Sequence, residues 1–242
     1  MSFEEALPVT DLAVIVEGQS ELAFVNSTLQ EHLRGHGVDA WGRLPGKHVQ
    51  CGGIPKWDIV RGDICRTLKE RTSRRCTIFF DFYGMPHSWP GRREAASASF
   101  SQKAEMVEAA IAEDIATVMG SDFRRELFIP YVQMHEFEAL LFSDVDQMSR
   151  QLCVVNSCSD EGSHSRMRNN LQKILETAGS AEQINDSANT APSKRILGIA
   201  PGYRKAISGP IILGRIGIPQ IRQKCPHFNQ WLTNLEALGS SY

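Results

Sequence analysis

The sequence has no long hydrophobic run, no surplus of either charge, no Cys-x-x-Cys pair and no nucleotide-binding glycine loop. Each absence removes a class of function. The longest clean apolar stretch, Leu12–Val16, is far shorter than the roughly 18 residues that span a bilayer, so no membrane association is expected. The start, M-S-F-E-E-A-L-P-V-T, is acidic and lacks an apolar core, unlike a secretory leader, and a cytoplasmic location is expected. With 26 Lys+Arg against 28 Asp+Glu the formal charge is −2, which excludes the basic field of a DNA-coating protein and leaves only local patches for nucleic acid. The 6 cysteines are expected to be free, small hydrophobes in a reducing compartment. The His48/Cys51 and Cys153/Cys158 spacings are poor zinc signatures. Without a Walker loop, ATP hydrolysis by that route is excluded. No internal repeat is present.

What remains is the composition of a folded globule, 42% hydrophobic and 22% charged over 242 residues. Leu12–Val16 (L-A-V-I-V) has the character of a strand buried on both faces. Leu22, Val25, Leu29 and Leu33 then repeat at helical spacing. Residues 49–53 suggest a short second strand. Trp57, Val60, Ile64 and Leu68 form another helical face, Cys76–Phe80 a third buried strand, and Val107, Ile111, Ile115 and Val118 a further helix. Leu127–Met134 reads as a fourth strand, with Pro130 marking an edge or bulge. This alternation predicts an α/β fold, a mainly parallel sheet flanked by helices, over residues 10–146. Residues 147–242 are expected to be a helical C-terminal extension packed on that core, with a loop at 157–165 and helices near 166–177, 202–207 and 226–238.

Open α/β sheets place their sites at the carboxyl ends of strands, and three of the expected strands end in acids. The first runs into V-E-G-Q-S-E, with Glu17 at its tip and Glu21 in the first turn of the next helix, where the helix dipole favours a carboxylate. The third ends F-F-D-F-Y-G, with Asp81 where the apolar run stops. The fourth leads into M-H-E-F-E, with His135, Glu136 and Glu138. Converging carboxylates repel one another, and a hard divalent cation such as Mg2+ (or Mn2+) relieves that repulsion. The plain alternative is that such acids cap helices or face solvent.

These three segments, with I-N-D-S-A-N-T-A-P-S-K-R-I-L, P-G-Y-R-K and I-R-Q-K-C-P-H-F-N-Q-W-L, resemble the Toprim domain. The nearest likeness is to an uncharacterised bacterial Toprim-like family related to the nucleases of the overcoming-lysogenisation-defect type. The resemblance implies a Rossmann-like Toprim fold and Mg2+-dependent cleavage of nucleic-acid phosphodiesters, DNA or RNA. It also implies an antiphage defence role beside an AAA- or ABC-type ATPase. On this resemblance Glu17 and Asp81 are catalytic and, with Glu21, hold metal. Tyr83 falls where the second acid of the Asp-x-Asp pair belongs, and a phenol of pKa about 10 is a poor Mg2+ ligand. Glu136 or Glu138 is then the candidate to complete the metal shell. Lys194 maps onto the family's cation and Arg195 lies beside it. The rival expectation is a catalytically weak module that docks onto an ATPase or nucleic acid. A homo-oligomer stays open.

Other residues carry two readings each. Arg92 and Arg93, like Arg71/Arg74/Arg75, Arg124/Arg125 and Arg204/Lys205, are candidate phosphate contacts or solvated faces. Trp89 is a base-stacking platform or a core-edge filler. His135 is a general base or a structural histidine. Asn185 and Asp186 are second-sphere groups or turn formers.

Overall fold

The computed structural model describes residues 9–46, 53–158, 160–184 and 191–240. Strand β1 (Thr10–Val16) leads into helix α1 (Gln19–Phe24), which continues through a π-helical turn at Val25–Leu29 into α2 (Gln30–Arg34). Strand β2 (Val38–Arg43), helix α3 (Trp57–Glu70), strand β3 (Arg75–Asp81) and helix α4 (Phe100–Met119) follow. Two short runs, β4 (Phe128–Ile129) and β5 (Val132–Gln133), both pair with β3. The sheet order is β2-β1-β3-β4, every pairing is parallel, and helices cover both faces. The expected α/β fold is therefore observed.

Alternation along the strands divides two cores. Leu12, Val14, Val16 and Phe79 face one cluster, while Ile15, Ile78 and Phe80 face the other with α3 and α4. The first cluster is completed from the C-terminal third: α5 (Val145–Val155), α6 (Glu161–Ala178), α7 (Pro192–Ile199), α8 (Lys205–Ile216), α9 (Ile218–Lys224) and α10 (Pro226–Glu236). Trp231 of α10 stacks on Tyr131 at 4.4 Å, and its indole N–H donates to Thr77 Oγ1 of β3 at 2.9 Å. Trp231→Ala should therefore destabilise the whole protein by about 3–5 kcal/mol, read as a lower urea midpoint in a single transition.

Several expectations are corrected. The second strand lies at Val38–Arg43, where Val38 and Ala40 are buried and Asp39 exposed; most of the expected 49–53 strand falls outside the described residues. Pro130, which has no N–H for the ladder, sits in the break between β4 and β5. Val118 is 48% exposed, and α4 uses Ala104 as the fourth member of its face. The 157–165 loop ends early, because Asp160 caps α6 by accepting from Ser163 N–H at 2.7 Å. The piece expected at 202–207 is the start of α8, which runs to Ile216. Cys153 and Cys158 are not free but disulfide-bonded: Ser157, at φ 52°, turns the chain back over the end of α5. Cys65, Cys76 and Cys225 are free and buried.

Candidate metal centre

Parallel pairing of β1 with β3 sets the first two acids side by side. Glu17, just beyond β1, is still held to β3 by its N–H on Phe79 O at 3.2 Å. Its Oε2 accepts the Asp81 N–H at 3.1 Å. Asp81 ends β3, and its Oδ1 accepts the Tyr83 N–H at 2.8 Å, an Asx turn that swings the chain off the sheet. Glu21 lies in the first turn of α1 and is buried. Glu136 accepts the Ser193 N–H at 2.9 Å from the start of α7. Glu138 is wholly buried, and its Oε1 accepts the Tyr203 hydroxyl at 3.0 Å.

Among the described residues, the ammonium of Lys205 pairs with this group. Lys205 Nζ lies 3.0 Å from Glu138 Oε2 and 3.5 Å from Glu136 Oε1. Burial pushes the Glu17 carboxyl up to about 7, reinforced by the charge of Asp81. Burial does the same to Glu21, reinforced by Glu17, and to Asp81, reinforced by Glu136 and opposed by hydrogen bonds from the Tyr83 and Gly84 backbone. Glu138 is raised by burial against the pull of Lys205. Glu136 is lowered, because Lys205 and Ser193 outweigh its burial. Lys205 is raised, its carboxylate neighbours outweighing its own burial. Among the described residues, Lys205 is the cation paired with these acids, and burial holds Glu17, Glu21 and Asp81 well above the usual carboxylate range.

This donor set fits a hard divalent cation: oxygen ligands, burial and uncompensated negative charge. Glycine keeps the carboxylates accessible. A Cβ at Gly84 would press on Asp81 Oδ2 at 3.3 Å, and one at Gly18 on Glu21 Oε2 at 3.2 Å. Among the described residues, no three of the five acids have ligand oxygens all within 4.8 Å of one another. Gathering three of them into one shell therefore requires side-chain movement. A pH dependence follows. From the ordinary values of 4.5 (Glu) and 3.8 (Asp) up to about 7, the unfolded chain loses protons that the native site retains, so stability falls as pH rises through that window. Glu21→Gln should flatten this slope and raise the metal-free protein's stability at pH 8 by about 1–3 kcal/mol, measured by urea titration at pH 5 and 8.

The remaining candidates divide. Lys194, on α7, is exposed, while the lysine that pairs with the acids is Lys205. Arg195 is half-buried beside Lys194, and Arg93 is exposed. Arg92 does not face solvent: it is buried, donates to Phe82 O at 2.8 Å and lies 3.9 Å over the Phe82 ring, bracing the turn after Asp81. Arg74 is likewise buried, tied to Asp11 and Glu70. Arg124 and Arg125 pair with Glu126 and Glu113 on the surface. Trp89 fills the core edge, buried against Trp57 and donating to Pro55 O at 3.0 Å. His135 is fully buried, its ring stacked between Tyr83 and Phe100. Tyr83, in the place of an acid, is 38% exposed and lays its ring against His135. Asn185 and Asp186 lie outside the described residues.

Sequence reasoning took Lys205 only as a candidate phosphate contact or solvated residue and missed both its pairing with the acids and Tyr203, its neighbour in P-G-Y-R-K. A signal was present. Lysine at the first position of a helix opposes the macrodipole, and such a local conflict points to a tertiary partner.

Comparison with known proteins places this site in a family. Residues 16–236 match the family described as Domain of unknown function (DUF4276). The chain belongs to the DUF4276 family. That match takes in all five acids and Lys205 of this DUF4276 chain. No curated protein matches it. The C-terminal region of the Xanthomonas campestris pv. campestris OLD protein is a similar solved structure, at 12% identity over 96% of each chain with a TM-score of 0.44. Among the described residues, no helix of the DUF4276 chain is long and apolar enough to cross a membrane.

Proposed function

We propose that this protein is a divalent-cation-dependent nuclease that hydrolyses nucleic-acid phosphodiesters. One observation carries the reading: Glu17 and Asp81 stand side by side at the carboxyl ends of adjacent parallel strands, with Glu21 in the first turn of α1, each pushed up to about 7, and with Lys205 as the nearby cation. Glu17 and Asp81 would hold Mg2+ or Mn2+, with Glu21 beside them. Bound there, the ion would supply positive charge against the phosphate and acidify a water. Glu17 and Asp81 would be ionised with the ion bound, and Glu21 beside them could accept the proton that such a water gives up. Lys205 stays protonated and keeps Glu136 ionised. Its side chain, 44% exposed, can also meet an anionic substrate. Lys194, Arg195 and Arg93 would contact the nucleic-acid backbone from the same protein. A defence role with an ATPase partner follows from the Toprim-like resemblance alone.

Because protons must leave on binding, Mg2+ affinity should rise about tenfold between pH 6 and pH 8, measured by calorimetry in two buffers of different ionisation enthalpy. A pH-independent affinity would contradict the assignment. Tyr83 in the place of the second acid favours a second reading, a binding module with a weakened site. Cleavage of labelled DNA and RNA with Mg2+ or Mn2+ separates the two, since the module binds without cutting.

A further inference from the structure

At the opposite end of the sheet, three ligating side chains from distant stretches meet. His32 lies on α2, His36 in the turn that leads to β2, and Glu236 ends α10. One ligand atom from each lies within 4.8 Å of the other two. His32 Nε2 is 2.7 Å from Glu236 Oε1, and His36 Nε2 is 3.7 Å from the same oxygen. Tetrahedral zinc, with bonds of about 2.0 Å, sets its ligand atoms about 3.3 Å apart. The two separations bracket that spacing, so small side-chain shifts suffice to close a shell.

The backbone holds these ligands in place. Thr10 N–H donates to Gly37 O at 3.0 Å, and Thr10 Oγ1 donates to Leu238 O at 3.1 Å. A Cβ at Gly239 would fall 1.6 Å from His36 O. The histidine turn and the end of α10 are therefore in direct main-chain contact at a position that admits only glycine. Arg222 is anchored by Nε on Asn229 Oδ1 at 2.7 Å and grips Glu236 through both oxygens, at 2.8 Å to Oε1 and 3.2 Å to Oε2. A metal must displace the guanidinium from Oε1, after which the contact to Oε2 orients the carboxylate, the outer-sphere role that metal-ligating groups usually have.

We propose that His32, His36 and Glu236 form a second metal site, for a borderline transition metal of the Zn2+ class, that fastens α10 to the α2–β2 turn. Imidazole donors select this class over Mg2+, so the site is chemically distinct from the strand-end acids. A fourth position remains for water.

The test is Zn2+ calorimetry on the full chain, with thermal melts, for wild type, His36→Gln and Glu17→Gln. Wild type should bind one equivalent at this site with micromolar affinity or better and melt at a higher temperature. His36→Gln should weaken that binding at least about tenfold, while Glu17→Gln and added Mg2+ should leave it unchanged. Zn2+ binding that is equal in wild type and His36→Gln, or absent below millimolar Zn2+, overturns the proposal. Because the His36 side chain is 43% exposed, this variant should fold. The visible spectrum of Co2+-loaded wild type decides independently. Tetrahedral bands without a thiolate transition support the site, and a thiolate transition or a purely octahedral spectrum overturns it.

Discussion

Glu17→Gln should abolish Mg2+-dependent cleavage, lowering the rate by about 10³-fold or more, equivalent to some 4 kcal/mol of transition-state stabilisation. The size follows from position. The Glu17 carboxylate accepts the backbone N–H of Asp81 and shares with it a buried, negatively charged strand end. Removing one of two adjoining carboxylates removes much of the cation's hold. The same substitution should raise the stability of the metal-free protein above pH 7, because it deletes a charge held against burial and against Asp81. Lost activity with gained stability is the mark of a functional group kept at a structural cost, and it separates this effect from misfolding. Cleavage assays on DNA and RNA, run beside urea titrations at pH 8, read both. If the variant and wild type cut every substrate alike, the nuclease reading fails.

Lys205→Met should destabilise the protein markedly. Lys205 is 3.0 Å from Glu138, whose side chain has no exposure, and also offsets Glu136, Glu17, Glu21 and Asp81. Glu138 is buried but Lys205 is 44% exposed, so the cost of leaving the carboxylate uncompensated is cut by solvent screening to about 2 kcal/mol. For a chain of this size that is a fall of about 4–8 °C in the melting midpoint. Adding Glu138→Gln should recover much of the loss, since a neutral amide needs no counter-charge and can still accept from the Tyr203 hydroxyl. If Lys205→Met melts like wild type, the ion pair to Glu138 is not formed in solution. If the double variant melts no higher than the single one, Glu138 is not the group that Lys205 compensates.

The strand-end acids were legible because the sheet is parallel and buried. L-A-V-I-V and C-T-I-F-F are continuous apolar runs, and the residue that breaks each run is the residue at the site. Helical spacing likewise located α3 and the buried face of α1–α2. The residues that complete the site were harder to read. Lys205 and Tyr203 reach the acids only because α8 folds back against α1, a long-range packing event that local pattern does not encode. Ser193, which donates to Glu136, starts a helix of only eight residues, too short to show a period. Lys194 is the lysine that the resemblance points to and lies exposed on α7, while Lys205, paired with Glu136 and Glu138, comes from the next helix. β2 was misplaced because V-D-A-W-G-R has one buried edge and a polar alternation, weaker than the apolar runs beside it. Arg92 looked like a surface cation, but its guanidinium finds a carbonyl and a ring that only the folded turn supplies.

Anomalous diffraction from crystals soaked in Mn2+ tests the central claim most directly. The account predicts a peak at the carboxyl ends of β1 and β3, ligated by Glu17 and Asp81, with Glu21 rotated toward it. No peak there at millimolar Mn2+, or Mn2+ found on the His32–His36–Glu236 cluster and nowhere near Asp81, would contradict it.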